Sequence, residues 1–72
     1  MTELTPVTSS LIKAVGYDEA QEELHVQFHK GGTYIYRGVT RPVYDALMEV
    51  PSVGHFFLMN VKKQYECIKE TS

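Results

Sequence analysis

The sequence predicts an α+β domain: a three-stranded antiparallel β-meander, in the order 1-2-3, followed by two helices packed on one face. Three observations carry that prediction. Leu24, Val26 and Phe28 alternate with His25, Gln27 and His29, the period-two pattern of a half-buried strand. Lys30-Gly31-Gly32 then separates this run from Thr33-Tyr34-Ile35-Tyr36, a β-branched and aromatic stretch. After residue 40 the apolar residues recur about four apart, the spacing of helices.

Taken in order, residues 1–8 read as a flexible lead-in. Residues 11–17, Leu11 to Tyr17, read as the first strand with imperfect alternation, and Gly16 inside it predicts a bulge or a close backbone approach. Asp18 to Glu23 holds no apolar residue except Ala20 and reads as a connecting turn. The second and third strands form a hairpin, because Gly31 and Gly32 reach positive φ without a Cβ clash. Tyr34 and Tyr36 share one strand face and are expected to join Leu24, Val26 and Phe28 against the helices. Sequential strands usually lie side by side, hence the order 1-2-3.

Thr40 is a good N-cap, and Pro42 suits a first helical turn. Val43, Tyr44, Leu47 and Met48 form an apolar stripe, so a helix is expected over residues 41–50. Pro51 stops it by pushing residue 50 out of the α region. Ser52 can cap a second helix, along which Val53, Phe57, Val61 and Tyr65 share a face. Leu58 flanks that face, while Phe56 and Met59 fall elsewhere. This helix is therefore apolar around more of its girth than a simple surface helix needs. The domain is expected over residues 9–68, with a C-terminal tail at 69–72.

A chain of 72 residues makes one domain, whose core leaves a net stability of roughly 3–5 kcal/mol. Nine acidic against seven basic residues give a net charge of −2, which counts against strong duplex-DNA binding. A single cysteine, Cys67, excludes an intrachain disulfide and a zinc site built from cysteine pairs. No signal-like N-terminus and no apolar run near the roughly 20 residues of a membrane span is present. A cytoplasmic setting is expected, with no membrane contact.

No catalytic constellation stands out. His25 and His29 are about 13 Å apart on a strand and cannot share an ion by themselves. His55 reads as a surface or capping residue. Cys67 lacks a positioned histidine and an electropositive pocket. The Asp18–Glu23 cluster lacks the alternating acids and central glycine of a calcium loop, and reads as a solvated turn. Gly31-Gly32 does not open a helix, so it is no phosphate loop. No enzyme activity, cofactor or metal is expected.

Two binding surfaces are expected. Tyr34 and Tyr36 with Arg37 and Arg41 resemble a platform on which unpaired bases stack beside phosphate-holding arginines, with Lys62 and Lys63 adding charge. The competing reading makes both tyrosines core residues with hydroxyls at the rim. Phe56 and Met59, off the main helical stripe, mark a surface for a protein partner or a second copy. The partners expected are therefore RNA, bound weakly, or another polypeptide.

The order and spacing of these residues resemble the KTSC domain, named for the C-terminal domain of some lysyl-tRNA synthetases and found also as short stand-alone bacterial and phage proteins. The resemblance covers roughly residues 9–65. It rests on Ser9-Ser10 with Ile12, Val15-Gly16-Tyr17-Asp18, Leu24, Val26, Phe28, Gly32, Tyr34-Ile35-Tyr36 and Val39. In the helical half it rests on Val43-Tyr44, Leu47-Met48, Ser52, Gly54, Phe56-Phe57, Val61 and Tyr65. Thr40 departs from the pattern, standing where proline commonly follows the valine, and Leu58 stands where a polar residue is usual. The resemblance implies a non-catalytic module for which RNA binding has been suggested, with Tyr34 and Tyr36 the matching positions.

Overall fold

The computed structural model describes residues 3–70, Glu70 through its backbone alone. Residues 1–2 and 71–72, the outer ends of the expected lead-in and tail, lie outside the described residues. The central hairpin joins β3 (Glu23–Phe28) to β4 (Thr33–Arg37), and β2 (Ile12–Asp18) pairs with β3 on its other side. Both pairings are antiparallel and follow chain order. Gly31 and Gly32 take φ of 101° and 84°, the left-handed region that glycine occupies freely.

The sheet has five strands, not the three expected. β1 (Thr5–Pro6) pairs with β2 inside the stretch read as a lead-in, and β5 (Cys67–Glu70) pairs with β4, reaching into the stretch read as a tail. Both added strands are antiparallel, giving the order β1-β2-β3-β4-β5. Backbone hydrogen bonds rather than a side-chain pattern hold these short edges, which is why alternation did not reveal them.

The bulge lies between Ile12 and Ala14, where Lys13 is the extra residue, and not at Gly16. An extra residue resets the side-chain period. It puts Ile12 and Val15, three apart, both fully inside, and accounts for the imperfect alternation. Gly16 sits in the regular ladder opposite His25.

Helix α1 (Arg41–Glu49) begins after Thr40, whose carbonyl accepts from Val43 and Tyr44 N–H. The Thr40 hydroxyl makes no capping bond. Val50 turns extended (φ −73°, ψ 150°), as a residue before proline should. Helix α2 (Val53–Phe57) is shorter than expected and passes into a π-helical turn over Leu58–Lys62. The Asn60 side-chain amide donates to the Phe56 carbonyl at 3.3 Å, the acceptor that the next α-helical N–H would use. Such local competition loosens the ladder, and wider turns answer it.

The core lies between the sheet and the helices. Ile12, Val15, Leu24, Val26, Val39, Leu47, Phe57 and Val61 are fully buried. Val53, Phe57 and Val61 line the second helical segment, as the four-residue spacing predicts, with half-buried Tyr65 against them. Phe57 meets Phe28 edge-to-face at 5.5 Å and Tyr36 at 5.1 Å. Tyr17 stacks on Tyr44 at 5.1 Å and donates its hydroxyl to the Val39 carbonyl at 2.6 Å, tying β2 to α1.

Candidate functional site

Register decides which residues each sheet face presents. Leu24 lies opposite Tyr36 and Val26 opposite Tyr34, so both tyrosines face the helices with the aliphatic core. Tyr36 is only 2% exposed. Burial, and then its contact with Cys67 across the β4–β5 pair, push its phenol well above the usual range. Tyr34 is half-buried, its ring against Phe28 at 5.5 Å. The Tyr36 ring therefore offers no face on which a base can stack.

The arginines are already engaged. Arg37 Nε lies 3.5 Å from Glu23 Oε2. Arg41 reaches Glu19 and Asp45, each at 3.2 Å. Those carboxylates offset the charge that phosphates would otherwise meet. Lys62 and Lys63 are exposed and take part in no ion pair among the described residues.

The residues offset by one form the opposite face, over which no helix packs among the described residues. Gly16 on β2 lies opposite His25 on β3, which lies opposite Ile35 on β4, which lies opposite Ile68 on β5. Ile35 is half-buried, whereas Ile68 is 49% exposed. β5 is also an edge strand, with one row of backbone groups facing outward. The two edges differ: β1 is two residues long and contains Pro6, a blunted edge, while β5 has four residues and no proline.

On the helical side, Met59 is 47% and Leu58 37% exposed. Phe56, expected with Met59 at an interface, is half-buried and packs against the core, so Leu58 rather than Phe56 joins Met59 at the surface. The four-residue spacing of Val53, Phe57 and Val61 already leaves Met59 off the buried face, and Leu58, at the flank of that face, lies in the π-helical turn.

Groups capable of nucleophilic chemistry are either engaged or dispersed. Ser9 Oγ accepts from the Leu11 and Ile12 N–H at 3.1 and 3.2 Å, and the Ser9 carbonyl accepts from His29 Nε2 at 2.8 Å. His55 and Cys67 are exposed. No helix among the described residues is long and apolar enough to cross a membrane.

The KTSC domain family model matches residues 8–65. The chain belongs to the KTSC domain family. A protein of Tsukamurella paurometabola is 38% identical over 65 residues, covering 90% of this chain and 97% of that protein. A Stutzerimonas stutzeri protein is 39% identical over 57 residues, covering 79% of this chain and 80% of its own length. The crystal structure of a KTSC domain protein from Yersinia pestis superposes with a TM-score of 0.95 at 35% identity, over 99% of this chain and all of that one. The family match stops short of β1 and β5, yet the solved KTSC structure spans nearly the whole chain, so the match between them extends to the sheet edges. Ser9, Gly54 and the buried Tyr36 all have structural duties in this KTSC domain: Gly54 lies where a Cβ would come within 3.0 Å of Ser9 Oγ.

Proposed function

We propose that this KTSC domain is a non-catalytic docking module that takes a strand of another polypeptide, in the simplest case a second copy of itself, along the free edge of β5. The observation that carries this reading is Ile68, half exposed on the longer, proline-free edge strand and opposite Ile35 on the uncovered face. Strand addition satisfies outward backbone groups, and alternate side chains give it specificity. In a two-fold antiparallel pairing of β5 with its copy, only residues on the same face can oppose each other. Centring that pairing on Ile68 sets two isoleucines side by side, whereas centring it on Lys69 sets two ammonium groups together.

Light scattering across a concentration range tests this, with Ile68→Arg alongside. Association that rises with concentration and is lost in Ile68→Arg supports the reading. A monomer at every concentration overturns the self-association version. RNA binding remains a second reading, favoured by exposed Lys62 and Lys63 together with the suggestion attached to the family. It predicts weak affinity that falls steeply with salt and that drops when both lysines become alanine. An amide NMR titration with single-stranded RNA and tRNA, unmoved at low salt, would refute it.

A further inference from the structure

The turn read from the sequence as solvated carries more order than that. Its last acidic residue opens β3, and its first closes β2, so Asp18 and Glu23 stand directly opposite each other on the uncovered face. His25, two residues along β3, shares that face. A carboxylate oxygen of Asp18, one of Glu23 and a ring nitrogen of His25 all lie within 4.8 Å of one another. All three residues are half-buried, with Glu23 and His25 side chains 19% and 14% exposed.

We propose that Asp18, Glu23 and His25 form a site for a divalent transition-metal ion of the Zn²⁺ or Mn²⁺ class. Like charges directly opposite across a strand pair repel, and a cation between them relieves this. Three contacts around the two carboxylates are long: His25 Nε2 stands 3.7 Å and Arg37 Nε 3.5 Å from the Glu23 carboxylate, and Asp18 Oδ1 accepts from the Gln21 N–H at 3.2 Å. Charge-assisted bonds of full strength run nearer 2.7–2.9 Å. An ion about 2.1 Å from each donor sets the donors roughly 3–3.5 Å apart, so side-chain rotation must close the triangle by little more than an ångström.

The donor set chooses the ion. An imidazole with two carboxylates suits borderline transition metals, whereas Ca²⁺ and Mg²⁺ want an all-oxygen shell with more ligands. Gly16 lies opposite His25 and has no side chain to occupy the space beside the ring. Water completes the coordination from the uncovered side. Arg37 is the local competitor: its guanidinium, on a side chain 64% exposed, shares Glu23, so an ion must displace it.

The full chain, carrying Cys67→Ser to remove the exposed thiol, is titrated with Zn²⁺ by calorimetry and with Mn²⁺ by amide NMR. One-to-one binding is expected, with Mn²⁺ broadening centred on Asp18, Glu23 and His25. His25→Ala and Asp18→Asn should each weaken binding at least about tenfold, the scale of losing a metal-site contact. Arg37→Ala should tighten it, which a merely structural role for the cluster would not produce. His29→Ala and His55→Ala, checked for an intact spectrum, should leave it unchanged. Absence of Zn²⁺ binding, or binding that survives His25→Ala and is lost with His29 or His55, overturns the proposal.

Discussion

Replacing Phe57 by leucine isolates the aromatic contribution to this core. Phe57 is fully buried, and its ring makes two edge-to-face contacts, with Phe28 at 5.5 Å and with Tyr36 at 5.1 Å. Such pairs contribute about 0.5–1.5 kcal/mol each beyond area burial. Leucine keeps an apolar side chain but neither ring contact, so Phe57→Leu should cost about 1–3 kcal/mol from the pairs alone. In a chain of this size each kcal/mol moves Tm by roughly 4–8 °C. Thermal unfolding followed by circular dichroism should therefore show a fall of about 4–24 °C. The loss should be less for Met59→Leu, because Met59 is 47% exposed. A Phe57→Leu melt within about 2 °C of the parent would refute the claim that this ring joins the helices to the hairpin.

Other outcomes follow from the same geometry. Tyr17 is raised above its ordinary 10.0 by burial and then by Glu22 and Glu19, and Tyr36 is raised by burial and then by Cys67. Both stay neutral in the fold after their unfolded counterparts ionise. Their contribution is thus complete below pH 10 and is lost as pH rises through the folded values, so denaturation midpoints should fall above pH 10, with two tyrosines late in a spectrophotometric titration. Gly54→Ala should fail to give its usual helical gain, because the new Cβ meets Ser9 Oγ at 3.0 Å and that oxygen is held by two N–H groups. In a Ser9→Ala background the contact disappears, and a double-mutant cycle should return a coupling of about 0.5–3 kcal/mol. Arg41→Ala removes only surface ion pairs with Glu19 and Asp45 and should leave the chemical-denaturation midpoint essentially unchanged.

The hairpin, both helix starts and the Pro51 stop were legible because each depends on chemistry within a few residues. Alternation placed Tyr34 and Tyr36 on one face but left open whether that face turns inward, which the packing of the helices decides. Thr5-Pro6 and Cys67–Glu70 were not. Their pairing is a matter of backbone groups finding a free edge, and neither carries enough apolar alternation to announce itself. The Asp18, Glu23 and His25 grouping was hidden for a related reason. Reading residues 18–23 wholly as turn removed Asp18 and Glu23 from the ladder, whereas Glu22 at φ 53° tightens the turn so that both rejoin it. The pairing of Arg41 with Glu19 was not legible because the two lie 22 positions apart.

The outermost strand also bears on how the chain avoids misassembly. Thr33-Tyr34-Ile35-Tyr36 is a short segment of high β-propensity without charge or proline, the composition from which cross-β stacking grows. β5 lies along its outer side, supplied by the chain segment that follows both helices. Without that pairing this edge would stand open, with Arg37 as its nearest charged gatekeeper. β5 thus works as a cap on that edge, and removing it by shortening the chain at its C-terminal end should show as turbidity during refolding.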